Sequence, residues 1–260
     1  MLKVINQVRL KRATNAEHGS IQTFLEQLLV EVVSGNYRYF LNEHLINSAP
    51  DLNEAEAYCW PPLLANERQV SGLFANALAA VCPVSRPEFT ISRPGVTDKR
   101  GKEGPERSGR IDFFATYGKR CIGLELKQIP ISSLGDTSAK RGLSARWDSV
   151  KEQSSQALSH FRGAPSIYPH PVTVGLLVIR VSRKVSKKKA PADVRTEAVN
   201  QMTSMLRDIG SRLKPDFLAH YVPPVEMQTF LGWGKNEDEY RVFPGVIFAG
   251  VVHGKRAAKR

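Results

Sequence analysis

Gly109-Arg110-Ile111-Asp112-Phe113-Phe114-Ala115-Thr116-Tyr117-Gly118-Lys119-Arg120-Cys121-Ile122-Gly123-Leu124-Glu125-Leu126-Lys127-Gln128 is the stretch on which the fold turns. Two runs of strand-forming residues, 110–116 and 121–128, flank Tyr117-Gly118-Lys119-Arg120. In the first run the two-residue pleat sets Ile111, Phe113 and Ala115 on one face, with Asp112 and Phe114 on the other. In the second, Ile122, Leu124 and Leu126 share a face, and Gly123, Glu125 and Lys127 the opposite one. If the loop is even-numbered, with Gly118-Lys119 a two-residue turn beginning with glycine, Tyr117 stands opposite Arg120; an odd-length loop would move Asp112 off the partner derived next. Counting back from it brings Asp112 opposite Glu125, with Cβ atoms about 5 Å apart on one face. Like charges so placed repel unless a positive charge lies between them. A hard divalent cation is the natural partner, because Mg²⁺ prefers carboxylate oxygen. Lys127, one pleat further on, is placed to orient a nucleophile or neutralise developing charge.

Working outward, residues 66–81 read as a helix with an apolar stripe of Val70, Phe74, Leu78 and Val81, stopped by Pro83. Glu67 lies three residues before Val70, so helical spacing sets it on the buried stripe, where a carboxylate needs a partner or a metal. A helix capped by Ser20 precedes this one and ends at Ser34-Gly35-Asn36. Trp60-Pro61-Pro62 marks a boundary. This divides the chain into an N-terminal helical extension, residues 1–60, and a main domain, residues 61–260. A short strand is read over 87–92, and a loop rich in Gly, Pro and charge over 94–108. Pro130 ends the second hairpin strand. A loop carrying Lys140, Arg141 and Arg146 leads to a helix over 145–161 with a core stripe of Trp147, Val150, Ala157 and Phe161. Residues 173–181 are apolar on both faces and read as a central strand. A basic loop over 183–189, a helix over 192–213, a last strand over 242–252 and a basic tail complete the chain. Helix and strand alternation predicts an α/β or α+β fold, with helices covering a sheet.

Composition narrows the function. The chain has 260 residues, with 37 Lys+Arg against 25 Asp+Glu and a formal net charge of +12. That balance favours a polyanionic partner, because basic side chains near phosphates release condensed counterions. No apolar run reaches the ~20 residues that span a bilayer, and the N-terminus lacks the apolar core of a signal peptide. The three cysteines, Cys59, Cys82 and Cys121, are scattered and suit a reducing compartment, so a cytoplasmic location is expected. The phosphate loop, the zinc helix and the serine elbow of common hydrolases are absent from the sequence. The histidines are dispersed, and only His160 lies near the elements of interest.

Glu67 on its helix, Gly109-Arg110-Ile111-Asp112-Phe113 and Gly123-Leu124-Glu125-Leu126-Lys127 together resemble the PD-(D/E)xK nuclease superfamily, the restriction-endonuclease-like fold. The resemblance spans roughly residues 67–181 and implies a central mixed β-sheet flanked by helices. It implies that Asp112 is the first-strand aspartate, that Glu125 and Lys127 are the E-x-K pair, and that Glu67 is the helix glutamate. It further implies Mg²⁺, with Mn²⁺ able to substitute, held by Asp112, Glu125, the Leu126 carbonyl and Glu67. Ile111 stands where many members have proline. Some members carry a Q-x-x-x-Y element on the next helix; here Gln156 is followed by His160 in the tyrosine position. Gln153 borders the core stripe of that helix and Gln156 lies further round, and the sequence leaves open which of them reaches the site.

The expectation is a Mg²⁺-dependent nuclease acting on DNA, with RNA not excluded. An endonuclease in restriction or antiviral defence follows by family analogy, as a homodimer or with a partner subunit. The alternative is a non-catalytic nucleic-acid-binding subunit that keeps the nuclease fold.

Overall fold

The structure, a computed structural model, describes residues 9–10, 16–47, 62–64, 67–93, 107–132, 137–186, 191–223, 229–231 and 239–254. The elements are, in order, β1 (Arg9–Leu10), α1 (Ala16–Asn47), a 3-10 turn (Pro62–Leu64), α2 (Glu67–Val81), β2 (Val84–Arg93), β3 (Arg107–Tyr117), β4 (Arg120–Ile131), α3 (Thr137–Gly163), β5 (Val172–Ser186), α4 (Pro191–Leu213), β6 (Phe217–Tyr221), β7 (Thr229–Leu231) and β8 (Glu239–Gly254). The strands form one eight-stranded mixed sheet of order β1-β6-β8-β5-β4-β3-β2, with β7 pairing β8 beside this path. The pairing of β4 with β5 is parallel. No helix among the described residues is long and apolar enough to cross a membrane.

Two layers of helix cover the sheet. On one face α1 and α2 bury Phe24, Leu28, Val32, Val70, Phe74 and Leu78 against Phe113, Leu124, Leu126, Leu176 and Phe248. On the other, α3 and α4 bury Leu143, Trp147, Val150, Met205 and Ile209 against Leu177, Ile179 and Ile247. A smaller cluster under the end of α3 joins Ile91, Ile111, Phe114, Cys121, Ala157 and Phe161. The strand β5 is apolar on both faces because both faces are roofed, as the sequence leads one to expect.

Several boundaries differ from the sequence reading. The helix α1 does not stop at Ser34-Gly35-Asn36 but runs to Asn47. Asn36 is fully buried there, and its Oδ1 accepts the Leu63 N–H at 2.9 Å, so a tertiary partner holds a residue that would otherwise favour a break. The helix begins at Ala16, which places Ser20 inside it. The segment read as an extension therefore supplies α1 to the main core, sharing one apolar cluster with α2 and the sheet. The helix α3 starts at Thr137, so Lys140, Arg141 and Arg146 are helical and not in a loop. Pro130 does not end β4, which continues to Ile131. Leu126 turns its N–H toward β3, and Pro130, four residues on, has the same orientation. The β3 ladder has ended by then, at Phe113 opposite Leu124, so the donor that proline lacks would have had no strand to meet. Arg183 belongs to β5, which extends to Ser186. The sequence reading had no strand at β6, which pairs with β8. Cys59, Trp60, Lys99, Arg100 and Lys187 to Lys189 lie outside the described residues, as do residues 94–106 of the loop read over 94–108; its last two residues, Arg107 and Ser108, belong to β3.

Candidate active site

The β3–β4 hairpin has the register that its turn dictates. Gly118 takes φ +58°, a left-handed conformation that glycine adopts without steric penalty. Tyr117 stands opposite Arg120, and the pairing continues through Thr116–Cys121, Ala115–Ile122 and Phe114–Gly123 to Phe113–Leu124. The next step would set Asp112 against Glu125, and the ladder stops short of it.

The reason lies in a change of face. Phe113 packs with Leu124 and Leu126 under α1 and α2. Ile111, two residues earlier, packs with Phe114 and Phe161 under α3. A Cβ placed on Gly123 would lie 2.6 Å from Phe161 and 2.7 Å from Ile111, which puts both side chains over that face and explains why glycine stands there. In a regular pleat residues 111 and 113 share a face. Here they do not, contrary to the sequence reading, so β3 rotates about its axis at Asp112. The rotation swings the Asp112 side chain from above the sheet into the gap between the strands. There its Oδ2 accepts the Leu126 N–H at 2.7 Å, taking the place of a ladder bond.

Glu125 and Lys127 follow the alternation read from the sequence. Glu125 is 2% exposed. Its Oε1 pairs with Lys127 Nζ at 2.9 Å, the two side chains being 3% and 17% exposed. Burial alone would lower the Lys127 pKa. Glu125, by hydrogen bond and by charge, then Asp112, then Glu67, reverse this and leave it raised. Three carboxylates from two strands and a helix thus bear on one ammonium group. Glu67 does so from an exposed position. It is the first residue of α2, one turn ahead of Val70 and two ahead of Phe74, and at the helix end it stands clear of the core, so it is not buried as its spacing led one to expect.

The two glutamines differ. Gln156 donates from Nε2 to Glu152 Oε1 at 3.1 Å on the outer side of α3 and does not join the charged group. Gln153 is half-buried beside Val150 and Ser154, which overlie Gly175, the β5 partner of Glu125. His160 accepts the Ser92 N–H at Nδ1, 3.1 Å away, and so ties α3 to β2. Burial pushes the Cys82 thiol up to about 11, and the Cys121 thiol rises for the same reason, which leaves neither as a ready nucleophile.

Among the described residues no group of three or more His, Cys, Asp or Glu side chains forms a metal cage. The donor chemistry still suits Mg²⁺, which keeps several waters and takes one or two carboxylates together with substrate phosphate oxygens. Asp112, Glu125 and the Leu126 carbonyl offer hard oxygens of that kind, at the point where β3 and β4 part. The Leu126 N–H was not part of the sequence reading; the register of β3 against β4 would set Asp112 against Glu125, and the bond to Leu126 is visible only in the structure. No family model, no curated protein and no solved structure matches the chain.

Proposed function

We propose that this chain is a Mg²⁺-dependent nuclease of restriction-endonuclease-like architecture that hydrolyses phosphodiester bonds of DNA, as an endonuclease. The observation that carries the reading is Lys127 held at 2.9 Å by a buried Glu125, with Asp112 and Glu67 within electrostatic reach. The mixed sheet roofed on both faces is compatible with that architecture, and the net charge of +12 suits a polyanionic substrate.

Asp112, Glu125 and the Leu126 carbonyl would hold the ion, with Glu67 near enough to add its charge. Bound there, Mg²⁺ or Mn²⁺ supplies Lewis acidity to the scissile phosphate and acidifies a water. Lys127, held by Glu125, would orient a nucleophile and lend positive charge where the phosphate gains negative charge in the transition state. The Asp112 bond to the Leu126 N–H fixes one carboxylate oxygen and thereby aims the other. A surface that only grips nucleic acid has no use for acids at the phosphate, and this favours catalysis over a binding subunit.

Plasmid incubated with the wild-type chain and Mg²⁺ is expected to be cut, and EDTA to stop the cutting. Asp112→Asn should lower the rate by about 10²-fold or more while DNA retention in a gel shift stays within a few-fold. Cutting by the variant at the wild-type rate would remove Asp112 from the mechanism. Retention without cutting by either protein would establish the binding subunit instead.

A further inference from the structure

The ladder between β2 and β3 runs from Val84–Thr116 to Pro87–Phe113 and resumes at Phe89–Ile111, leaving out the pair Glu88–Asp112. Glu88 has φ +50°, in the left-handed region that non-glycine residues rarely enter, and it does so in the interior of a strand. The ladder on the other side of β3 ends one residue short of Asp112 as well. The two registers thus both leave out Asp112, at the place where β3 changes face.

We propose that the left-handed backbone at Glu88 is a positioning device for Asp112. If Glu88 were extended, the pair Glu88–Asp112 would close, β3 would keep its regular alternation, and the Asp112 carboxylate would stay above the sheet, away from the Leu126 N–H. The turn of the backbone at Glu88 lets both strands rotate together, so that Phe89 and Ile111 face α3 while Phe113 faces α2. The side chain of Glu88 is not what matters. It is exposed and pairs with an exposed Arg110, at 2.8 Å, an arrangement that contributes little. The role assigned to Glu88 in cleavage rests on the nuclease reading, whereas its role in placing Asp112 does not.

Three variants separate backbone from side chain. Glu88→Gly accepts the left-handed backbone freely, Glu88→Gln removes the charge alone, and Glu88→Val penalises the left-handed conformation. Two readouts are taken, the kinetics of plasmid cutting and the ¹H–¹⁵N resonance of the Leu126 amide. Glu88→Val is expected to shift the Leu126 amide upfield and to lower kcat about tenfold or more, with KM for DNA within about twofold. Glu88→Gly and Glu88→Gln should match the wild type in both. If Glu88→Val does not fold, Glu88→Thr applies a similar backbone penalty with a less apolar side chain and is read in the same way. An unshifted Leu126 amide in the β-branched variant would overturn the proposal. If the wild type cuts no DNA, the nuclease reading fails alone, and the Leu126 amide still decides whether Glu88 positions Asp112.

Discussion

His253 sits on β8 opposite Thr173, whose hydroxyl donates to the Ser154 carbonyl of α3 at 2.8 Å. Burial lowers its pKa below the ordinary 6.5, and the charge of Arg162 lowers it further. Asp216 and a hydrogen bond with the Lys151 backbone oppose this without reversing it. His220 is lowered by burial as well. An imidazole whose folded pKa is depressed stays neutral in the native state while the unfolded chain takes up a proton near 6.5. Its contribution to stability is complete above that value and is lost as the pH falls through the folded pKa. The urea midpoint of the wild type is thus expected to drop as the pH falls below about 6.5, and less steeply in His253→Gln, with His220 accounting for part of the remainder. Identical slopes for the two proteins would show that His253 does not titrate with folding.

Among the elements, the β3–β4 hairpin was the most legible in the sequence. Its alternation, its glycine turn and the placement of Glu125 and Lys127 follow from a period of two and a count of turn residues. What the sequence hid was decided by partners far along the chain. The change of face at Asp112 depends on the backbone of Glu88, a residue whose type gives no sign of a left-handed conformation. The continuation of α1 past Gly35 depends on Asn36 meeting Leu63. Pro130 survives inside β4 because β3 has already turned away. Spacing identifies the face on which Glu67 lies but not its exposure, because the first turn of a helix can stand clear of the core it leads into. Asn36→Ala leaves the buried Leu63 N–H without its acceptor and should cost about 1–3 kcal/mol, read as a lowered unfolding midpoint. An unchanged midpoint would mean that the 3-10 turn finds another acceptor.

At the scale of the molecule, the apolar cluster under α1 and α2 is continuous from Ile21 to Phe248. Phe24, Leu25, Leu28 and Val32 are all fully buried within it. A chain shortened to residues 61–260 would expose their partners Phe74, Leu78 and Leu124, losing several large side chains at about 1.5–3 kcal/mol each. That exceeds the net stability of most domains. The truncated chain is expected to lack a cooperative thermal transition and to bind a hydrophobic dye, whereas a sharp melt would restore residues 1–60 to the status of an appendage.

The pairing order carries a consequence for synthesis. Glu67, Asp112, Glu125 and Lys127 all leave the ribosome before β5 is made, yet β5 lies between β4 and β8, and β8 is the last described strand. A growing chain holds its charged residues early but cannot close the middle of the sheet beneath them until β8 emerges. On the nuclease proposal, cleavage of DNA would begin only once the final described strand has closed the sheet.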